Sequence, residues 1–257
     1  MSNPVIRQVA PQWSVAAASA HTLTVAPFNI GDLMVAAFYT NGGPATGVSG
    51  GGVPSWALAT SYYDTAQNAY ASLWWGVLTS TGTSTVTVTA PGQGTNYGKI
   101  WCREFEAIGA NWQVASASPL PGSSGAGPSG HANPVSYPSL TPPAAGNALY
   151  VGAAWSYFGN VNFGTGTGFF YANPGSDGPE LVAYNPQVST VTAPTATSTD
   201  PTGPWLAVAA LFTAGAGTVT SAAYASAFSL IPGTGSWVNP GNAVGVPSGS
   251  FATWTAP

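Results

Sequence analysis

Charge is what this sequence lacks. Lys, Arg, Asp and Glu make up 4% of its 257 residues, against about 25% in an ordinary globular domain. The three cations are Arg7, Lys99 and Arg103, and the net charge is −4. Binding to a nucleic-acid backbone needs several Lys or Arg to displace counterions, so no nucleic-acid partner is expected. Disordered chains combine low hydrophobicity with high net charge. Here 45% of the residues are hydrophobic and 12% aromatic, which is enough for a packed interior. Cysteine is nearly absent too. Cys102 stands alone, which excludes an internal disulfide and any Cys-rich zinc site. The start, "MSNPVIRQVAPQWSVAAASA", has no basic segment followed by an apolar run of leader length. That fits a protein made in the cytoplasm rather than one exported through a signal peptide.

Helical periodicity is missing as well. No window carries a sustained i, i+3, i+4, i+7 apolar stripe, and 33 Gly and 23 Pro punctuate the chain. Strand signals take its place. "HTLTV" puts Leu23 and Val25 on one face and Thr22 and Thr24 on the other. "TSTVTVTA" alternates Val86 and Val88 with Thr85, Thr87 and Thr89. "DLMVAAFY" and "YASLWWGVL" are continuous apolar runs, of a length suited to strands covered on both faces. The uncharged stretch "PWLAVAALFTAGAGTVTSAAYASAFSLIPG" is interrupted by Gly and Thr. It is read as two strands and a linker rather than a membrane-spanning helix, so no membrane insertion is expected.

The second half echoes the first. "LTVAPFNIGDLMVAAF" (Leu23 to Phe38) is matched by "LTPPAAGNALYVGAAW" (Leu140 to Trp155). "VTAP" occurs at Val88 to Pro91 and again at Val191 to Pro194, each followed by a small-residue loop and a last apolar strand. The expected fold is all-β: an antiparallel β-sandwich, jelly-roll-like, built from two similar halves over residues 1–215, with a short C-terminal extension. "SPLPGSSGAGPSGHANP" (Ser118 to Pro134) is the expected crossover between the halves. Residues 216–257 are too few for an independent sandwich and are read as a linker and docking tail, or a truncated second module.

Candidate chemistry is sparse. Lys99, Cys102, Arg103, Glu104 and Glu106 crowd into one strand, "KIWCREFEAIG". Alternation places Ile100, Cys102, Glu104 and Glu106 on one face, and Trp101, Arg103, Phe105 and Ala107 on the other. The matching strand of the second half, "PWLAVAALF", has no charge, so the fold position does not demand these residues. A nucleophilic Cys102 would need a base, and His21 and His131 lie in unrelated contexts; the expected Cys102 is buried and inert. Glu104 and Glu106 share a face without the cleft and second function that a glycosidase pair needs, and Lys99 or a turn amide is the nearer partner for them. Asp32, Asp64, Asp177 and Asp200 fall in turn sequences, with Asp32 expected to cap backbone; Glu180 completes the acids. "SGGGVPS" opens no helix, so it is read as a flexible loop and not a phosphate cradle. No catalytic, cofactor-binding or metal-binding residue is assigned. Trp56, Tyr62, Tyr63, Trp112, Tyr157 and Phe158, near expected strand ends and loops, are the candidates for stacking on sugars.

The order "GDLMVAAF", "SLWWGVL", "STVTVTAPGQG", "KIWCREFEAIG", then "GNALYVGAAW" and "GPWLAVAALF", resembles minor tail and virion-surface proteins of phages with a jelly-roll domain. Glu104-Phe105 and Gly109 occupy the places of the family's Glu-aromatic strand end and following Gly. The resemblance implies a structural role and carries no functional residue over. The segment "GSWVNPGNAVGVPSGSFATWTAP" is similar to the opening of discoidin-like modules. The role these resemblances imply is a non-enzymatic virion subunit partnered by other virion subunits and by copies of itself, with host attachment through a cell-surface glycan. The rival readings are a carbohydrate-binding adhesin and a secreted glycosidase or lyase.

Overall fold

A computed structural model of the chain describes residues 5–6, 19–90, 98–107, 110–122, 134–143, 148–157, 159–162, 164, 166–172, 180–190, 193–199 and 204–216. Every regular element among them is a strand. The first copy runs β1 (Val5–Ile6), β2 (Ala20–Val25), β3 (Leu33–Thr40), β4 (Gly47–Gly50), β5 (Ala57–Asp64), β6 (Ala69–Val77), β7 (Ser84–Thr89) and β8 (Gly98–Glu106). The second runs β9 (Ala110–Gly122), β10 (Val135–Ser136), β11 (Ala148–Ser156), β12 (Val161–Asn162), β13 (Phe170–Ala172), β14 (Glu180–Val188), β15 (Thr195–Ser198) and β16 (Trp205–Ala216).

The first copy forms a five-stranded sheet in the order β1-β8-β3-β6-β5 and a three-stranded sheet β2-β7-β4. The second repeats this as β9-β16-β11-β14-β13 and β10-β15-β12. All pairings are antiparallel. Within each copy the first strand pairs with the eighth, the second with the seventh and the third with the sixth. That is the pairing of one long hairpin rolled into two layers, the jelly-roll arrangement. The fourth and fifth strands depart from it, since β5 and β13 extend the larger sheets instead.

The expectation of two similar halves holds, but they do not merge into a single sandwich. Each half is a complete two-layer sandwich, and the two five-stranded sheets pack on each other to make four layers. The shared central core contains Leu33, Val35, Leu73, Trp101 and Phe105 from the first copy, and Leu149, Val151, Val182, Val208 and Phe212 from the second. Each outer layer closes its own core: Leu23, Val86, Phe38, Ile100 and Cys102 in one copy, and Val135, Tyr137, Tyr150, Leu181 and Leu211 in the other. This explains the unbroken apolar runs. β3 is buried at all eight positions because odd-numbered residues face the central core and even-numbered ones the outer core. β2 and β7 cover only one core and alternate.

Two landmarks in the sequence mislead about position. "VTAP" ends β7 in the first copy but precedes β15 in the second, so these tetrapeptides are not equivalent; the Thr and Ala common in strand ends produced the match. Residues Ser118 to Gly122 belong to β9, paired along β16, so the change of copy comes before Ala110 and not at Ser118 to Pro134. Pro119 and Pro121 are tolerated because β9 is an edge strand. "SGGGVPS" is a tight turn rather than a free loop. Gly50, Gly51 and Gly52 have φ of 77°, 70° and 80°, and a Cβ on Gly50 would stand 2.0 Å from the Thr85 carbonyl oxygen. Only glycine fits. The segment "WLAVAALFTAGA" forms β16, and no helix among the described residues is long and apolar enough to cross a membrane. Residues 217–257, where the docking tail was expected, lie outside the described residues.

The central core makes a direct prediction. Phe212 is fully buried, and Phe212→Ala is expected to cost about 3–5 kcal/mol in urea unfolding. Thr85→Ala, on an exposed face, is expected to stay within about 0.5 kcal/mol. Equal midpoints for the two variants would show that the two large sheets do not share a core.

Candidate functional site

The crowded strand β8 lies where both copies meet, and its charges are used there. Lys99 Nζ reaches Glu180 Oε2 of β14 at 2.7 Å. Two strand steps further, the same face aims Arg103 at the second copy, with its guanidinium carbon 4.4 Å from the centre of the Tyr184 ring. Such a cation over an aromatic face gains from the ring quadrupole, more so when water is excluded, and Arg103 is only 7% exposed. The second-copy partners, Glu180 and Tyr184, sit on one strand, and burial pushes the Glu180 carboxyl up while the Lys99 ammonium opposes the rise. The separation of 81 residues between Lys99 and Glu180 hid this pair from sequence reasoning.

Aromatic rings line the same edge of the seam. Tyr39, at the end of β3, stacks on Trp155, at the end of β11, with centroids 3.9 Å apart. Tyr157 meets Trp155 edge-on at 4.1 Å, and its hydroxyl donates to Asp64 Oδ2 at 3.3 Å. Asp64 Oδ1 accepts the backbone N–H groups of Ala66 and Gln67, closing the β5–β6 turn as an Asx turn does. Burial, then the Asp64 charge, pushes the Tyr157 phenol well above its ordinary range, and Tyr62 contributes in the same direction. Tyr62 and Tyr157 are half-buried.

At the opposite end of β3 and β8 lies a pair of carboxyls that sequence reasoning did not join. Glu104 is fully buried. It accepts the backbone N–H of Phe28 at 3.1 and 3.0 Å and that of Asn29 at 3.0 Å. The expected turn amide is thus its partner, whereas Lys99 is not. Asp32 takes Asn29 Nδ2 at 3.2 Å, and the Glu104 carboxyl acts on its titration. Capping of the turn amides therefore falls to Glu104 and not to Asp32. Burial, the Glu104 hydrogen bond and the charges of Glu104 and Glu106 together push Asp32 up to about 7. The Glu104 charge disfavours the charged form of Asp32, so Asp32 keeps its proton toward neutrality. The turn it anchors displays Phe28 and Ile30, 62% and 69% exposed.

The other candidates fill structural places. Cys102 is a buried free thiol, and burial pushes its pKa far above the ordinary thiol range, which is the environment of an unreactive cysteine. His21 is fully buried against Phe38, at 5.4 Å, with neither nitrogen hydrogen-bonded. Burial lowers its pKa. Gly98 makes room for it, since a Cβ there would meet the imidazole at 2.3 Å. Trp56 donates to the Gly50 carbonyl at 3.0 Å and Tyr63 to Asn68 Oδ1 at 2.8 Å. Trp112 is buried in β9 and donates to the Gly31 carbonyl at 3.2 Å, so its ring is not available for stacking on a sugar. His131, Phe158, Asp177 and Asp200 lie outside the described residues. Among the described residues no three His, Cys, Asp or Glu side chains gather as metal ligands would.

Comparison with known proteins returns no match to a family model, a curated protein or a solved structure.

The Asp32–Glu104 pair fixes a pH dependence. With a folded pKa of about 7 against 3.8 for a free Asp, folding takes up a proton between these values. The stability tied to protonated Asp32 is complete below about pH 4 and is lost as pH rises through 7. Asp32→Asn keeps a donor toward Glu104 without the charge. It is expected to be more stable than the parent at pH 8, by on the order of 1–3 kcal/mol, and to show no such gain at pH 4. Denaturant unfolding of both proteins across this range measures it, and the His21 contribution cancels in the difference. A constant difference across pH would refute the raised Asp32 pKa.

Proposed function

We propose that this chain is a non-enzymatic structural subunit of a phage virion, a minor tail or capsid-surface protein. Its partners on this reading are other virion subunits and further copies of itself. The observation that carries the reading is the tandem construction. Two sandwiches with the same strand order are joined through their large sheets, an arrangement that builds a broad β scaffold. Jelly rolls serve in viral capsids and also in lectins, so the fold narrows the role without fixing it. The scarcity of charge argues in the same direction. A surface covered by Ser, Thr, Asn and Gly has weak electrostatic repulsion between copies, which suits close contact in a symmetric assembly.

Light scattering on the purified 25.7 kDa chain, whole and ending at Ala216, tests the reading. A defined oligomer for the whole chain is expected, with a smaller species once residues 217–257 are removed. A monomer in both forms at high concentration would overturn self-assembly as part of the role.

A second reading, a carbohydrate-binding module, is favoured by one observation. Tyr62 and Tyr157 are both half-buried rather than enclosed, and partly exposed aromatic side chains are what a sugar ring stacks on. On this reading a glycan array gives a hit that Tyr62→Ala weakens tenfold or more while the melting temperature stays within a few degrees. An array with no hit removes it.

A further inference from the structure

Where the two sandwiches meet, Tyr39, Lys99, Trp155 and Glu180 line a cavity of about 20 Å³. Its remaining wall includes Ala37, Ala71, Ala153 and Ala154. These side chains end at Cβ on paired strands, so the wall cannot close over the space. Three polar atoms of the lining are buried without a hydrogen-bond partner: Tyr39 Oη, Trp155 Nε1 and Glu180 Oε1. The residues that carry them are 6%, 7% and 4% exposed. An unmet buried donor or acceptor costs about 1–3 kcal/mol, and native interiors leave few of them. Three around one space call for a common partner.

We propose that this cavity is a binding site for a single buried water molecule that bridges the two jelly rolls. The chemistry of the lining selects the ligand. An indole N–H only donates and an ionised carboxylate only accepts. The occupant must therefore accept from Trp155 Nε1 and donate to Glu180 Oε1. A metal cation cannot accept the indole hydrogen and would also face the Lys99 ammonium. An anion would face the Glu180 carboxylate. Water accepts from Trp155, donates to Glu180 and has a third bond for the Tyr39 hydroxyl, which can act in either sense. The size agrees, since a water needs about 10–15 Å³ of such space and two to four polar partners. The Trp155 indole already favours the ionised form of Glu180, although the two are not at hydrogen-bond geometry; a bridging water completes that contact. Tyr39 belongs to the first copy, Trp155 and Glu180 to the second. The water therefore sits in the seam beside the Lys99–Glu180 ion pair and satisfies the carboxylate oxygen that Lys99 does not take.

The full chain labelled with ¹⁵N-tryptophan tests this by rotating-frame transfer from water to the indole N–H groups. Trp155→Phe identifies the Trp155 resonance by its loss. A direct dipolar cross peak between water and the Trp155 indole hydrogen is expected, and it should persist in Tyr39→Phe. Absence of the peak in the parent would overturn the proposal, and so would its loss in Tyr39→Phe, which would mean that magnetisation passed through the phenol hydroxyl. A crystal structure of the parent protein decides the same point with no variant. Density is expected about 2.7–3.2 Å from all three polar atoms, whereas a direct Trp155–Glu180 hydrogen bond or a dry cavity would refute the site.

Discussion

Burial of one five-stranded sheet against the other is the constraint on which the remaining features depend. A sheet with an outer layer on one side still has a second face to cover. In each copy that second face carries large apolar side chains, among them Leu33, Val35 and Phe105 in one and Val151, Val208 and Phe212 in the other. Exposing either face would leave an apolar patch far larger than soluble monomers carry. The two copies solve this for each other, and the central strands β3, β11 and β16 become apolar on both sides in consequence. The continuous hydrophobic runs that look like membrane segments or parallel-sheet strands are the signature of this double covering in an antiparallel fold.

The scarce charges acquire meaning from the same constraint. A seam between two apolar sheets has little to fix its setting, because hydrophobic contact is non-directional. Lys99–Glu180 and Arg103–Tyr184 supply direction. The arrangement is asymmetric. The first copy provides both cations on β8, while its counterpart β16 has none and the second copy instead provides their partners on β14. A partly buried ion pair such as Lys99–Glu180 adds little net stability, so its contribution here is to the specificity of the setting.

At the far end of β3 and β8 a different problem is solved. The turn leading into β3 exposes N–H groups at Phe28 and Asn29, and Glu104 accepts both from within the sheet. Asp32 closes against the same carboxylate. The grouping joins backbone satisfaction to titration, since the carboxylate that secures the turn also helps raise the pKa of Asp32. His21, buried and unpartnered, adds a contribution of the opposite sign. Its lowered pKa withdraws stability as pH falls below the ordinary histidine value, while Asp32 withdraws it as pH rises.

The all-β class, the individual strands and the presence of a repeat were legible in the sequence, because each rests on local pattern: alternation at Leu23–Val25 and Val86–Val88, unbroken runs at β3 and β6, glycine and proline between them. The two faces of β8 followed from period-two alternation, and the buried, inert Cys102 from the want of a base near it in the sequence. What sequence reasoning could not supply was anything that depends on residues far apart in the chain. The four-layer stack, the place where one copy gives way to the next, and the pairing of Glu104 with Asp32 and of Lys99 with Glu180 are long-range choices with no local signature. "VTAP" shows the hazard, as a tetrapeptide repeated for compositional reasons marks two inequivalent positions. Local chemistry therefore determined which segments become strands and which of their faces are apolar. Only the tertiary structure decided which apolar faces meet, because burial rewards any complementary face, and the choice among faces is made by shape and by a few directional contacts across the seam.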